Sequence, residues 1–357
     1  MKILITGGHM SPALAVIDEI GSRADIIFVG KKYDPENEKT FALEYREVAK
    51  KNVLFYNLQT GRLTRLFNFK SFINLLKIPL GFYQALRILI KEKPNSILSF
   101  GGYIGFPVCL IGFLLKIPVY IHEQTSKPGL TNRITGLLAK KIFISFEETK
   151  KYFSPEKIIA SGNPVRKSVL KVSKKPFNFL KNKPVIYITG GSLGSHSINN
   201  KIKEILPGLL EKYIVIHQTG SRIIKNILPD KLKTTYFPRE HFFADEIGYI
   251  YSISDLVIGR SGANTLFELI AWKKPAILIP LPWSANQEQL GQAEIFQKSG
   301  TGEIFDQNNE SKNLLNLVDK VLSDIDNYKN NFKNVELFYK KNAAQTIVQT
   351  LLSSIIS

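Results

Sequence analysis

The sequence predicts two consecutive doubly wound α/β domains, each a parallel sheet with helices on both faces. The length of 357 residues is roughly two to three times the commonest domain size. Short apolar runs alternate with longer amphipathic stretches, as buried parallel strands and their crossover helices do. A glycine-rich turn follows the first predicted strand of each half. The composition, 44% hydrophobic and 22% charged, excludes a disordered or fibrous chain.

The predicted strands are short runs rich in Ile, Val, Leu, Phe and Tyr. In the first half they are Ile3–Thr6, Asp25–Val29, Val53–Leu58, Ile97–Phe100, Val119–His122 and Lys141–Phe146. In the second half they are Val185–Thr189, Tyr213–Gln218, Thr234–Phe237, Leu256–Gly259 and Ala276–Leu281. The polar, basic stretch Lys171–Lys183 contains prolines and marks the region of the domain boundary.

Three strand-to-helix turns suit a phosphate-bearing ligand. They are Gly7-Gly8-His9, Gly190-Gly191-Ser192-Leu193-Gly194 and Arg260-Ser261-Gly262. In an open α/β sheet, ligands bind beyond the carboxyl ends of the strands, where backbone N–H groups and a helix N-terminus face an anion. Glu268 lies in the helix after the third turn, where its carboxylate can accept hydrogen bonds from a ribose diol. The pattern predicts a nucleotide site, although a loop His and a helical Glu are also common as plain surface residues.

The charge balance suggests an anionic partner. Lys and Arg exceed Asp and Glu by 48 − 30 = +18, but only 10 of the 48 are Arg. Base composition of the gene is an equal explanation for the excess. The sequence contains no Arg-rich tract or aromatic RNA-binding pattern, so we expect no nucleic acid partner. The single cysteine, Cys109, can form no internal disulfide and indicates a reducing, cytoplasmic compartment.

One segment has the composition of a membrane-surface element. Residues Lys51–Lys93 carry eight basic residues and one acidic residue, 8 − 1 = +7, interleaved with Leu, Ile and Phe. The alternative is that these apolar residues form the core face of ordinary helices. The longest apolar stretch, Val108–Ile121, is interrupted by Lys116 and Pro118, and no secretory signal opens the chain. We therefore expect a protein that is peripheral on the cytoplasmic face of an anionic membrane, not integral.

No metal site is predicted. Asp324-Ile325-Asp326 matches an Asp-x-Asp metal pair, but it lies in a polar helical stretch with no neighbouring strand. A solvated helix face explains it better.

Several motifs, taken together in order, resemble one family over most of the chain. They are Gly7-Gly8-His9 with Pro12-Ala13-Leu14-Ala15, Phe100-Gly101-Gly102-Tyr103, His122-Glu123-Gln124 with Gly129-Leu130-Thr131-Asn132-Arg133, Gly162-Asn163-Pro164-Val165-Arg166, Gly190-Gly191-Ser192-Leu193-Gly194-Ser195, Arg260-Ser261-Gly262-Ala263 with Thr265 and Glu268, and Gln289 with Ala293. The sequence resembles the MurG family, the glycosyltransferase family 28 enzymes that convert lipid I to lipid II in peptidoglycan synthesis.

The resemblance implies a GT-B fold, in which two Rossmann-like domains face an interdomain cleft. The N-terminal domain, 1–165 with a C-terminal helix 336–357, would bind the acceptor and the membrane. The domain 166–335 would bind UDP-N-acetylglucosamine. The residues implied at the donor are Phe243 and Ala244 for uracil, Glu268 for ribose, Arg166 and Ser192 for diphosphate, and Gln289 with Glu288 for the sugar hydroxyls.

The implied reaction is an inverting single displacement without metal or cofactor. The C4 hydroxyl of the muramyl sugar of the undecaprenyl-linked acceptor attacks the anomeric carbon of the donor as UDP leaves. A general base helps an alcohol attack at neutral pH. His9 is the first candidate, with Glu123 and His122 in reserve. Gly7, Gly8, Gly101, Gly102 and Thr125 would receive the acceptor diphosphate.

The sequence departs from the family pattern in the first turn. The family usually reads Gly-Gly-Thr-Gly-Gly-His there, whereas Thr6 is followed here only by Gly7-Gly8-His9. Thr125 stands where the family usually has Asn. Three alternatives stay open: a transferase for another membrane lipid, a UDP-sugar 2-epimerase of the same fold, and a protein that binds UDP-sugar without turnover.

Overall fold

The computed structural model describes residues 1–33, 40–61, 69–191, 194–220, 234–284 and 287–356, without the side chains of 43, 69–75 and 354–356. The described chain divides into two compact units. The first consists of Met1–Pro164 and Lys340–Ser357, and the second consists of Val165–Tyr339. Each unit is an α/β structure around its own parallel sheet, which confirms the predicted fold class.

The first unit is built on one parallel sheet. Its strands are β1 (Lys2–Thr6), β2 (Asp25–Gly30), β3 (Leu54–Asn57), β4 (Ser96–Ser99), β5 (Val119–Glu123), β6 (Lys141–Ile144) and β7 (Ile158–Ile159). Their order in the sheet is β3-β2-β1-β4-β5-β6-β7. Every predicted strand of this half is present. The two-residue edge strand β7 was not predicted, because two apolar residues are too short a run to distinguish from a loop.

Helices cover both faces of this sheet. They are α1 (Met10–Ile20), α2 (Leu43–Ala49), α3 (Phe69–Glu92), α4 (Gly102–Leu114) and α5 (Leu130–Leu138). Alternate residues of β1 point to opposite faces: Ile3 and Ile5 belong to the core that includes α1. Leu4 belongs to the core that includes Val108 of α4. Burial on both faces explains why the strands are continuous apolar runs.

The second unit repeats this plan. Its strands are β8 (Val185–Thr189), β9 (Ile214–Gln218), β10 (Tyr236–Arg239), β11 (Leu256–Gly259), β12 (Ala276–Leu278) and β13 (Gly302–Ile304), in the order β10-β9-β8-β11-β12-β13. Its helices are α6 (His196–Lys212), α7 (Ala244–Ile253), α8 (Ala263–Trp272), α9 (Glu288–Ser299), α10 (Ser311–Ser323) and α11 (Ile325–Asn330). The predicted strands are present, and the short strand β13 was missed.

The strand order reverses once in each sheet. In the first unit the chain passes from β1 out to β3 and returns to place β4 beside β1. In the second unit β11 lies beside β8 in the same way. The loops after these four strands leave the sheet at its carboxyl edge and open a crevice there, which is where such sheets bind ligands.

The C-terminal helix is shorter than predicted. Instead of spanning 336–357, the helix α12 covers Ala343–Ile356. Val335 is buried in the second unit, Glu336 forms an ion pair with Lys273, and Tyr339 is extended. The helix begins only after the chain has re-entered the first unit, where Ile347 and Leu351 of α12 join the core around α1. Across the described residues, we find no helix with the length and apolar character needed to span a bilayer.

Candidate functional site

Two glycine turns meet at the carboxyl edge of the first sheet. Gly8 has φ +139°, Gly101 has φ +81° and Gly102 has φ +74°, all in the region that favours glycine. A Cβ atom on Gly8 would overlap the Gly101 carbonyl oxygen, and one on Gly102 would lie 3.2 Å from Gly8 Cα. Below them, Thr6 Oγ1 donates to Ser99 Oγ at 2.9 Å. The structure thus brings together all four glycines that were predicted to receive the acceptor diphosphate, with Gly7 preceding Gly8.

A carboxyl group covers Gly7. Glu44 of α2 occupies the position that a Cβ on Gly7 would take, and its Oε2 accepts a hydrogen bond from Lys31 N at 3.1 Å. Burial raises the pKa of Glu44 to about 7. Sequence reasoning missed this residue because nothing in its local pattern places it against a turn far away in the chain.

His9 is held in one tautomer beside these turns. Its Nδ1 lies 2.8 Å from the carbonyl oxygen of Phe100. A carbonyl only accepts, so Nδ1 carries the proton, and Nε2 of the neutral ring keeps its lone pair. Burial lowers the pKa of His9, and the charge of Glu123 and the bond to Phe100 partly oppose that shift. His9 is therefore a neutral imidazole at neutral pH, with Nε2 as the basic atom.

Glu123, the second predicted catalytic residue, is a buried acceptor at the end of β5. Its carboxylate accepts hydrogen bonds from Thr125 N at 2.8 Å, Thr125 Oγ1 at 2.7 Å and Asn132 Nδ2 at 2.8 Å. Its side chain is 2% exposed. The hydroxyl of Thr125, predicted at the acceptor diphosphate, is thus turned inward to Glu123. Glu123 acts on His9 through its charge, and Asn132 connects it to the turn at Gly101.

His122, the reserve candidate base, is a structural residue. It is fully buried, its Nε2 lies 3.3 Å from the Gly162 carbonyl oxygen, and its ring packs on Phe100. Burial lowers the pKa of His122 to about 3. With no exposed atom to touch a substrate, it leaves His9 as the base that the geometry favours.

The glycine turn of the second unit ends at a helix N-terminus. Gly191 (φ +87°) and Gly194 (φ +77°) lead to Ser195, the N-cap residue of α6. Ser192, predicted at the diphosphate, lies outside the described residues. A Cβ on Gly194 would be 2.7 Å from Gly220 Cα, so the turn packs directly on the backbone after β9. Backbone N–H groups at the start of a helix of this length suit an anion.

Gln218 links this turn to the start of α7. Its Nε2 donates to Gly191 O at 2.7 Å, and its Oε1 accepts from Phe242 N at 3.0 Å. Phe243 and Ala244, predicted at the uracil, are the N-cap and first residue of α7. Phe243 N donates a hydrogen bond to Glu246 Oε2 at 3.0 Å. Ala244 lies in the first turn of α7, so its N–H has no carbonyl of the same helix within reach.

Arg166 and Glu268 lie close enough to interact. Glu268 is on α8, and its Oε2 accepts a hydrogen bond from Tyr251 Oη at 3.0 Å. Burial raises the pKa of Glu268, while the positive charge of Arg166 and the Tyr251 hydrogen bond oppose the rise. The residues predicted for the diphosphate and the ribose are therefore neighbours.

Gln289 lies at the carboxyl edge of β12. Its Oε1 accepts from Leu281 N at 3.0 Å, and its carbonyl accepts from Ser261 Oγ at 2.7 Å. Next to it is a cavity of about 350 Å³ whose lining includes Pro280, Leu281, Pro282, Gln287, Leu290 and Ile304. Asp306 and Asn308 complete the lining, so the residue predicted for the sugar hydroxyls stands beside a space with both apolar and polar walls.

Arg260 is a buried cation that the motif contained but to which no role had been assigned. One nitrogen donates to Ile279 O at 2.9 Å, and the other donates to Ser195 Oγ at 2.9 Å and Ser197 Oγ at 2.6 Å. Burial lowers its pKa. The guanidinium therefore fixes the start of α6 to the end of β12 and adds positive charge at the second edge. Within the described ranges, no group of three or more His, Cys, Asp or Glu side chains is placed to hold a metal ion.

Two doubly wound units, each with a glycine turn at its switch point and the second with a buried carboxyl group beside an arginine, have the architecture of a GT-B glycosyltransferase. The comparisons agree with this class. Residues 6–144 match the glycosyltransferase family 28 N-terminal domain, and residues 185–350 match the family 28 C-terminal domain. The chain belongs to glycosyltransferase family 28 and is a hexosyltransferase.

Curated relatives match along nearly the whole chain. The UDP-N-acetylglucosamine--N-acetylmuramyl-(pentapeptide) pyrophosphoryl-undecaprenol N-acetylglucosamine transferase 2 of Bacillus cereus (strain ATCC 10987 / NRS 248) is 34% identical over 98% of both chains. The corresponding transferase of Clostridium perfringens (strain 13 / Type A) is 36% identical over 88% of both.

Solved structures share the fold. MurG of Acinetobacter baumannii has a TM-score of 0.70 at 23% identity and covers 99% of each chain. The UDP-GlcNAc 2-epimerase of Neisseria meningitidis, solved with UDP-GlcNAc, has a TM-score of 0.65 at 18% identity, with 99% and 100% covered. At these identities the likeness concerns the fold alone.

Proposed function

We propose that this chain transfers N-acetylglucosamine from UDP-N-acetylglucosamine to the C4 hydroxyl of the muramyl sugar of undecaprenyl-pyrophosphoryl-MurNAc-pentapeptide. The observation that carries the proposal is His9: a neutral imidazole, locked as the Nδ1–H tautomer, stands beside paired glycine turns in a chain whose relatives are named for this transfer. A 2-epimerase uses no acceptor alcohol, so it needs no base to deprotonate an acceptor hydroxyl.

The second unit binds the donor in this proposal. The carboxylate of Glu268 accepts hydrogen bonds from the ribose hydroxyls, and Ala244 N–H at the start of α7 faces the uracil with Phe243. Arg166, the turn that contains Ser192 and the N-terminus of α6 neutralise the diphosphate. Gln289 addresses the sugar hydroxyls. These donors and charges stabilise the UDP leaving group as negative charge develops on it.

The first unit binds and activates the acceptor. The N–H groups of Gly7, Gly8, Gly101 and Gly102 receive its diphosphate, since side-chain-free turns allow close approach. His9 Nε2 removes the C4 hydroxyl proton as the oxygen forms a bond to the anomeric carbon. The bond from that carbon to the diphosphate oxygen breaks, and UDP leaves with the electron pair. Attack opposite the leaving group inverts the anomeric configuration. Glu123, held by Thr125 and Asn132, stabilises the imidazolium that forms. No metal and no cofactor take part in this scheme.

A basic, apolar face of the first unit supports binding to an anionic membrane. On α3, Leu76, Leu80, Tyr83 and Ile90 are exposed along one helical stripe, beside Lys77, Arg87 and Lys91. The neighbouring α4, the residue that caps it and α5 add exposed apolar residues, namely Phe113, Leu114, Leu115, Leu130, Ile134 and Leu137. Other apolar residues of α3, such as Ala85 and Leu89, are core, so the segment has both characters that the sequence allowed. We infer attachment to the cytoplasmic leaflet, where lipid-linked acceptor and UDP-sugar meet.

The defining experiment measures UDP release from UDP-N-acetylglucosamine with and without a short-chain lipid I analogue, with mass spectrometry of the lipid. Acceptor-dependent release with a disaccharide product supports the proposal. Donor binding without that product overturns it, and assays with other lipid acceptors and for 2-epimerisation then separate the alternatives from a binding-only protein.

Sedimentation with anionic and neutral vesicles tests the membrane face, where Leu137→Glu should weaken binding to anionic vesicles.

A further inference from the structure

Tyr251 contacts the carboxylate that we assign to the ribose. Its hydroxyl donates to Glu268 Oε2 at 3.0 Å, from α7 to α8. Its side chain is 2% exposed, and its ring packs edge-on against Tyr187 at 5.9 Å and parallel to Trp272 at 6.5 Å. A ring held on two sides cannot move its hydroxyl, so the hydrogen bond has a fixed direction.

The same cluster holds the segment that follows Arg166. Trp272 Nε1 donates to Val169 O at 2.9 Å, and Val169 N donates to Arg166 O at 3.0 Å. On the neighbouring turn of α7, Gly248 leaves room for the Lys171 carbonyl, which a Cβ would overlap. The aromatic cluster thus supports both Glu268 and Arg166 from behind.

We propose that Tyr251 is a positioning residue for nucleotide binding, which orients the Glu268 carboxylate so that its remaining lone pairs face the ribose diol of the donor. This inference rests on the proposed function, because it assumes a nucleoside diphosphate at Glu268. A glutamate side chain turns freely about its terminal bond, and a donor fixed on Oε2 sets the plane of the carboxylate. The diol then meets acceptors that are already aligned.

The hydrogen bond also favours the charged form of Glu268, because it lowers the pKa of that carboxyl against the effect of burial. The groups that face Glu268 are Arg166 from the segment after β7, Tyr187 on β8 and Tyr251 on α7. Burial raises the pKa of Glu268, and Arg166 and Tyr251 lower it. Removal of the Tyr251 hydroxyl removes one of the two opposing effects, so Glu268 protonates at a higher pH. A protonated carboxyl accepts hydrogen bonds less strongly than a carboxylate.

The test compares Tyr251→Phe with Tyr249→Phe in the full chain. Tyr249 lies on the same helix and donates instead to the Phe177 carbonyl at 3.4 Å, so its variant controls for the loss of a tyrosine hydroxyl. We expect Tyr251→Phe to raise KM for UDP-N-acetylglucosamine roughly tenfold with little change in kcat. The acid limb of kcat/KM should also move to higher pH. The control should change neither quantity.

Donor analogues separate positioning from a general structural role. With 2′-deoxy and 3′-deoxy donors, which lack half of the diol, Tyr251→Phe should cost much less than it does with the intact donor. The variants Tyr251→Phe and Glu268→Gln should likewise be non-additive when combined. An equal KM increase for intact and deoxy donors, or additive effects, would overturn the inference.

The outcome stays distinguishable from failure of the proposed function. Failure of the wild-type chain to make disaccharide overturns that function, whatever Tyr251 does. Calorimetric titration of the wild type and both tyrosine variants with UDP and 2′-deoxy-UDP then measures how far the contribution of the 2′-hydroxyl to binding depends on the Tyr251 hydroxyl. Loss of the 2′-hydroxyl contribution in Tyr251→Phe alone supports the inference, and its retention overturns it.

Discussion

The carboxyl edges of the two sheets share one backbone plan and carry different chemistry. At the first edge, the Gly7-Gly8 turn packs on Gly101-Gly102, and the titratable groups beside the turns are Glu44, His9 and the buried Glu123. At the second edge, the turn at Gly190-Gly191 runs into the N-terminus of α6, next to the cation Arg260. Under the proposed function, the first edge moves a proton and the second holds an anion.

The two edges differ in the charged side chain that each contains and in the partners of that side chain. The Glu123 carboxylate has its oxygens engaged by Thr125 and Asn132, so it can bias His9 from within the protein. Arg260 instead donates to hydroxyl, amide and carbonyl oxygens, so its charge adds to the positive potential of the helix terminus. A shared fold has thus been specialised by a few side chains at the strand ends.

The proton-transfer assignment of the first edge is tested most directly at His9. His9→Gln removes the basic Nε2, so we expect kcat to fall by roughly 10²- to 10⁴-fold. UDP affinity should be unchanged, because the donor residues all lie in the second unit. Steady-state kinetics and calorimetric titration with UDP check the two parts. A near-wild-type kcat in His9→Gln would contradict the assignment of His9 as the general base.

The glycine turns offer a matched pair of substitutions. Gly8→Ala faces both an unfavourable φ and overlap with the Gly101 carbonyl. Gly191→Ala faces only the unfavourable φ, since no described atom beyond its chain neighbours lies within 4 Å of a Cβ built there. We expect losses in the free energy of unfolding of about 3 kcal/mol or more for Gly8→Ala and about 1–2 kcal/mol for Gly191→Ala. Thermal unfolding measures both, with Gly291→Ala as the control without steric conflict. Equal losses would contradict the close packing of the first pair of turns.

Much of this architecture could be predicted from sequence. Buried strands such as β1 and β8 are uninterrupted apolar runs, and the turns that follow them are marked by glycine. The edge strands β7 and β13 could not be predicted, because β7 has only two residues and β13 begins with Gly302 and Glu303, so neither forms an apolar run. The helix predicted from residue 336 begins only at Ala343, since apolar spacing does not reveal that the chain changes units near Tyr339.

The candidate site also contains residues that the sequence could identify and residues that it could not. His9, Arg166 and Glu268 stand in motifs and could be named from them. The partners that hold them, such as Tyr251 and Phe100, lie on other elements, so only the fold brings them together. Glu123 illustrates the limit, because its motif drew attention to it while its three hydrogen bonds assign it a supporting position.

Gln218 tests whether the second edge is a single assembled site. Gln218→Glu replaces the N–H that donates to Gly191 O with a carboxylate oxygen, which repels that carbonyl. We expect UDP affinity to fall roughly tenfold and the free energy of unfolding to fall by about 1–3 kcal/mol. Gln84→Glu is the control, because among the described residues the side chain of Gln84 accepts from Gln59 N through its oxygen, an acceptor that glutamate retains. Unchanged UDP affinity in Gln218→Glu would show that the turn and α7 bind independently of this link.

Each of the two units contains a fully buried histidine. His122 and His217 are both unexposed, and burial lowers the pKa of each from 6.5 to about 3. His217 is satisfied as a neutral ring, with Nε2 at 3.1 Å from Asn199 Oδ1 and Nδ1 at 3.0 Å from Tyr236 Oη. Between these pH values the unfolded chain binds a proton at each ring that the folded chain does not. The contribution of these two histidines to stability is therefore complete above pH 6.5 and falls as the pH decreases towards 3.

The slope for each histidine is about 1.4 kcal/mol per pH unit once the pH is well below 6.5. Urea denaturation at several pH values between about 7 and about 5 measures it. His122→Leu and His217→Leu should each flatten the dependence, even though each variant is less stable at neutral pH because polar partners lose their contacts. A variant that keeps the wild-type slope would show that its histidine binds a proton in the folded state. If both substitutions flatten the pH dependence of the free energy of unfolding, both histidines are neutral in the folded chain. The two units, whose edges differ in chemistry, then share a core that keeps its histidine unprotonated.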